Sequence, residues 1–181
     1  MLVEKEFEVD TLVLSVGLMP NNFLLIKAGT EIARNSGSLV NDKLETSIAG
    51  IFSCGNVLHV HDLVDNVVEE ARVAGRDAAK YILGKEEKVT SIINVTPGEG
   101  IGCVVPGKVG VGDSLKDVTL KFRVRKPSKD VYILFKQNGR ILKKVLKNAI
   151  IPSEMEIIKI NKDLIEETGD LVVEMVSKED K

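Results

Sequence analysis

The chain has 181 residues, 44% of them hydrophobic, and its 25 Lys and Arg against 27 Asp and Glu leave a formal net charge of −2. That apolar fraction supports a packed core and excludes bulk disorder, and the balanced charge gives no electrostatic footprint for nucleic acid. Two cysteines without a CxxC, Cys54 and Cys103, exclude a disulfide framework and a zinc ribbon. Aromatic residues make up 4% with no Trp, which argues against a stacking surface for bases or sugars. The apolar runs are shorter than a membrane span needs, and the chain opens without a secretory pattern, so a reducing, cytoplasmic setting is expected.

Residues 9–16 form a β-branched, mostly apolar run ending at Gly17, the pattern of a strand buried on both faces. Met19-Pro20-Asn21-Asn22 breaks it. Asn21 or Asn22 is then placed to cap a short helix through Phe23, Leu24, Leu25 and Ile26, and Gly29 to end it. A short extended piece around 38–41 leads to a second candidate buried strand at 48–54, closed by Gly55-Asn56. The longest helical pattern covers 63–83, with Val64, Val67, Val68, Ala71, Ala74, Ala78, Ala79 and Ile82 at three- and four-residue steps. Asp62 is a sensible N-cap for this helix and Gly84 its stop, with a charged linker over 85–88.

Beyond residue 90 the pattern is strands only. Val118, Leu120, Phe122 and Val124 alternate with Thr119, Lys121, Arg123 and Arg125, predicting one inward and one outward face. Val131, Ile133 and Phe135 line a further strand, Asn138-Gly139 is a strong hairpin signal, and strands follow at 141–146, 155–160 and 171–176. Short strands with frequent turns predict an antiparallel sandwich of immunoglobulin-like type. Residues 94–112, with six glycines and two prolines, are expected to be irregular. The expected division is an α/β part over 1–88, an irregular lead-in over 89–114 and a β-sandwich over 115–181.

Several motifs fail their own chemistry. Residues 102–108 have P-loop spacing, but Val109 stands where the magnesium-binding hydroxyl belongs and no helix can follow. Residues 98–103 resemble a dinucleotide fingerprint with Cys103 in place of the third glycine. His59, His61, Asp62 and Asp65 are metal-ligand types, but no third strong ligand stands at diagnostic spacing, so no metal site is assigned and metal binding through His59 and His61 is kept as a third, weaker option. Cys54 in an apolar strand reads as a small hydrophobe, and no catalytic residue is assigned.

One arrangement survives these tests. A buried strand, then Gly55-Asn56, then a loop and the start of a long helix can receive a nucleotide cofactor, and can equally be an ordinary strand-to-helix connection.

The stretch Asp10-Thr-Leu-Val-Leu-Ser-Val-Gly-Leu-Met-Pro20-Asn resembles the exit from the NAD(P)H-binding domain of thioredoxin-reductase-like flavoproteins. Thr46-Ser-Ile-Ala-Gly50-Ile-Phe-Ser-Cys-Gly55-Asn resembles the second FAD motif of these pyridine nucleotide-disulfide oxidoreductases, and the likeness continues through residues 67–79. The run CGNVLHVHDLVD is most similar to a branch associated with glycerol-3-phosphate metabolism, whose members carry a C-terminal extension. The resemblance implies FAD as cofactor and NAD(P)H as co-substrate, with hydride passing from nicotinamide to flavin. Gly55, Asn56, Val57, Val68 and Glu69 would then face the flavin. Asn56 replaces the family's acidic residue, and no GxGxxG precedes it to hold the FAD pyrophosphate. The chain is therefore expected to be the C-terminal part of a longer flavoprotein, inactive alone, whose partner is the upstream part. Its exposed apolar faces would then leave residues 1–84 poorly ordered, rearranged or self-associated. The alternative is a non-catalytic module that docks a partner redox subunit through its strands.

Overall fold

The computed structural model describes residues 5–15, 17–112 and 117–179. Among these residues two α-helices, α1 (Phe23–Ala28) and α2 (Val64–Ile82), precede eight strands: β1 (Ser91–Pro97), β2 (Ile101–Val105), β3 (Lys108–Val111), β4 (Asp117–Val124), β5 (Ser128–Gln137), β6 (Arg140–Ile150), β7 (Glu156–Asn161) and β8 (Leu171–Ser177). Neither helix is long and apolar enough to cross a membrane.

The strands build two sheets in the orders β3-β1-β8-β5-β6 and β2-β4-β7, antiparallel throughout except for the parallel pair β1–β8. Alternation decides their common core. Leu120 and Phe122 from the smaller sheet and Ile133, Phe135, Leu171 and Val173 from the larger are fully buried in one cluster. The Phe122 and Phe135 rings meet edge to face with centroids 6.2 Å apart, the geometry their quadrupoles favour. Asn138 (φ 51°) and Gly139 (φ 77°) both take the left-handed turn of a tight hairpin between β5 and β6.

The irregular lead-in is corrected. Residues 91–111 form three strands that enter both sheets, with Ile93, Val95, Ile101, Val104, Val109 and Val111 in the core. The glycines and prolines that suggested an irregular stretch serve the connections: Gly98 and Gly100 turn β1 into β2, and Pro106 and Gly107 turn β2 into β3. A Cβ on Gly98 would meet β8 at Val172 and Glu174, so close backbone approach requires the glycine there.

The strand expected over 9–16 is also corrected. Residues 5–15 form neither helix nor strand, and Phe7, Val9, Leu12, Val13 and Leu14 are exposed; Val16 lies outside the described residues. A strand apolar on both faces is stabilised between hydrogen-bonded neighbours and under two covering layers, and no described residues supply them. The strand expected over 48–54 is reduced to a single bridge between Glu45 and Phe52.

Helix α1 forms as expected, closed by Gly29 at φ 85°. Asn22 sits at its N-cap but turns its amide away, donating to the carbonyls of Ser36 (2.6 Å) and Val57 (2.9 Å). Helix α2 matches its expected span, but Leu63 rather than Asp62 is its N-cap. Its orientation is the larger surprise: Glu70, Ala74 and Asp77 are its buried residues, whereas Val64, Val68 and Ile82 are exposed.

Side chains of the first 88 residues hold the helix side to the strands. Val40, Leu44, Leu58 and Ala74 pack on Val105 of β2. Val40 accepts backbone hydrogen bonds from Gly107 and Lys108. Asp42 accepts from Lys162 Nζ (2.5 Å) and from the Gly110 N–H (2.8 Å).

Candidate functional site

The chain's most concentrated polar chemistry is buried where the loop before α2, the helix itself and β4 meet. Gly55 takes φ 72°, a left-handed conformation that lets its N–H donate to Glu70 Oε2 at 2.6 Å. His59, 3% exposed, places Nε2 2.9 Å from Glu70 Oε1, and Lys121 Nζ reaches the same oxygen at 2.6 Å. The His61 ring lies against that of His59, centroids 4.1 Å apart, with Nε2 3.2 Å from Glu70 Oε2 but without hydrogen-bond alignment. Asn56 Oδ1 accepts the His61 N–H at 3.2 Å and stands 3.4 Å from His61 Nδ1.

Burial alone would raise the Glu70 pKa, but hydrogen bonds and charge from His59 and then Lys121 pull it down to about 2. His61 is lowered by its own burial and by His59, against the pull of Glu70, so the neutral ring is favoured. Burial, with the negative charge of Glu70 beside it, raises the Cys54 thiol, which agrees with an unreactive small hydrophobe.

Asp62 closes the edge of the site. It pairs with Arg123 of β4 and accepts the Met155 N–H at 2.6 Å, while Arg123 also donates to the Val60 carbonyl at 3.1 Å. Burial acts to raise Asp62, but the Arg123 and Met155 hydrogen bonds outweigh it and hold the carboxylate low. Beside Glu70 and Lys121 opens a cleft of about 430 Å³, lined also by Asp42, Glu69, Arg76 and Lys159.

The five residues expected at a flavin do not converge. Gly55 bonds Glu70, Asn56 bonds His61, and the Val57 carbonyl accepts from Asn22. Val68 is 41% exposed, and exposed Glu69 pairs with Arg72. Glu69 lines the cleft and the other four do not. The Gly55 N–H and the Asn56 Oδ1 are thus both engaged within the chain.

Glu70 and Lys121 were missed at the sequence level. Glu70 stands three residues after Val67 and four before Ala74, a carboxylate inside the apolar stripe, and that placement was the available signal. Lys121 belongs to the face of β4 expected to meet solvent. That face meets the loop and α2 instead, which is why its cations find Glu70 and Asp62.

Residues 3–78 match the family model described as pyridine nucleotide-disulphide oxidoreductase. The chain is 35% identical over 79 residues to an NADH-rubredoxin oxidoreductase of Clostridium acetobutylicum, covering 44% of this chain and 20% of that protein. It is 31% identical over 100 residues to an NADH oxidase of Methanocaldococcus jannaschii, covering 50% and 21%. Over 81 residues it is 31% identical to the large subunit of an Escherichia coli NADH nitrite reductase, covering 45% and 10%. The chain thus spans about a tenth to a fifth of the length of these curated relatives. No solved structure matches it. Residues 3–78 are thus similar in sequence to the pyridine nucleotide-disulphide oxidoreductases.

Proposed function

We propose that this chain is the C-terminal segment of a longer FAD-dependent NAD(P)H oxidoreductase, providing one wall of the flavin pocket and a β-rich extension behind it. One observation carries the reading: the stretch that matches the family leaves the apolar residues of its N-terminal part uncovered. Leu12, Val13, Leu14, Leu18 and Met19 are 68–87% exposed within the matched residues. Apolar surface of that density is stable once another layer covers it. The proposed cover is the upstream part of the flavoprotein, whose sheet would take residues 9–16 as a strand. The exposed first turn of α2 at Leu63 and Val64 would then border the flavin. The branch associated with glycerol-3-phosphate metabolism is the finer assignment, supported by the residues 54–65 run.

The loop and α2 do not depend on that cover for their position, because Glu70 ties Gly55, His59 and Lys121 together. The strands belong to the same body: Asp42, Asp62 and Glu70 each bond a residue beyond position 90. These shared bonds favour an integral extension over a separable docking module.

The test is flavin retention after desalting, with the chain alone and with the polypeptide encoded directly upstream of it. The chain alone is expected to lose FAD, and the combination to stay yellow and bleach with NADH or NADPH. One FAD per chain retained by the isolated chain overturns the reading. A combination that assembles without flavin overturns it in favour of docking.

A further inference from the structure

We propose that His59, His61 and Glu70 form a binding site for one divalent transition-metal cation of the zinc class, held between the loop before α2 and the second turn of α2. Hydrogen-bond accounting at His61 leads to it. Asn56 Oδ1 accepts the His61 backbone N–H at 3.2 Å, which identifies that atom as the amide oxygen without reference to the ring. The same oxygen lies 3.4 Å from Nδ1, so the ring turns its Nδ1–H to Asn56 and its bare Nε2 lone pair inward. Glu70 Oε2, which already accepts the Gly55 N–H at 2.6 Å, stands 3.2 Å from that nitrogen but off the line of its lone pair. His61 Nε2 is buried and has no hydrogen-bond partner. Two buried acceptors this close repel without a proton between them, and a cation bonded to both would convert the repulsion into two bonds.

The donor set suits such a cation. Ligand atoms of His59, His61 and Glu70 all lie within 4.8 Å of one another, so a small inward movement of the side chains brings them to the span of two metal–ligand bonds of about 2.0–2.2 Å. Two imidazoles and a carboxylate are a familiar three-ligand zinc set, with a fourth position left for water. The surrounding shell is built as well: Asn56 orients His61, and the Gly55 N–H holds the carboxylate. Lys121 opposes the ion, because an ammonium 2.6 Å from Glu70 Oε1 repels a nearby dication. It therefore acts as a built-in competitor that keeps affinity modest. The inference does not rest on the flavoenzyme reading, since no flavin contact enters it.

The test uses the tag-free 181-residue chain, stripped with a chelator and titrated with Co²⁺, followed by competition with Zn²⁺. One Co²⁺ per chain is expected, with the visible ligand-field absorption of a low-coordinate nitrogen and oxygen site, displaced by Zn²⁺. His59→Ala and His61→Ala should each weaken binding at least about tenfold, with the circular dichroism of the sheets unchanged. Lys121→Met should tighten it, a gain that misfolding cannot mimic. Absence of stoichiometric binding by the wild-type chain overturns the proposal, as does undiminished affinity in the two histidine variants. Equal or weaker binding by Lys121→Met also overturns it.

Discussion

Residues 9–15 and the strands β4 and β5 are both rich in Val, Leu and Ile or Phe, yet they meet opposite fates. Val9, Leu12, Val13 and Leu14 are 64–85% exposed, whereas Leu120, Phe122, Ile133 and Phe135 are at 0%. The difference lies in pattern. An alternating strand has one apolar face and needs one cover, which the opposite sheet of the same chain supplies. A strand apolar on both faces needs two covers and two hydrogen-bonded neighbours, and the described residues contain neither. Hydrophobicity alone thus did not decide burial; the number of faces to be covered did.

The sharpest way to break this comparison is to truncate one side chain from each region. Phe122→Ala should destabilise by about 3–5 kcal/mol in denaturant unfolding. Leu14→Ala, at a position 69% exposed, should stay within about 0.5 kcal/mol. Comparable losses at both positions would mean that residues 5–15 are packed in solution.

Acid should expose the second largest effect. Glu70 has its folded pKa pulled down to about 2 from an ordinary 4.5, so its contribution is present above pH 4.5 and is lost as pH falls toward 2. The loss is on the order of 3 kcal/mol, measured in chelator-containing buffer. His61, lowered below its ordinary 6.5, acts with the same sign: its contribution is present above 6.5 and declines as pH falls below it. Glu70→Gln should flatten the low-pH limb. A wild-type stability that holds constant down to pH 3 would contradict the network.

A smaller cost is expected at Gly37, where an added Cβ would overlap the Leu58 carbonyl oxygen. Gly37→Ala should destabilise by about 1–3 kcal/mol through displaced backbone, loosening the loop that carries His59. Asn138→Ala should cost about 1 kcal/mol, since Asn138 tolerates φ 51° and bonds Glu166 Oε2 (2.7 Å) and the Thr168 carbonyl (3.0 Å). Amide exchange sharpens the same contrast without mutation: residues 5–15 should exchange first, and β5 and β8 in the middle of the larger sheet last.

Local periodicity and turn chemistry were legible in the sequence. The 3.6-residue repeat located α2, Gly29 ended α1, and alternation with Asn138-Gly139 identified the β4, β5 and β6 strands, because each depends on neighbours a few residues away. Three outcomes were decided only in the folded chain. The glycine-rich stretch became β1, β2 and β3 because distant β4 and β8 lay ready to pair with it. Helix α2 turned Glu70 inward because Lys121, 51 residues later, supplied the counter-charge and Gly55 a donor. His59 and His61 gained a carboxylate neighbour that no spacing rule could have named, since it comes from a helix packed across the loop. Chain-local geometry is written in short windows of sequence. Burial, charge pairing and ligand sets depend on which distant segments meet, and that is settled by the competition for cover across the whole fold.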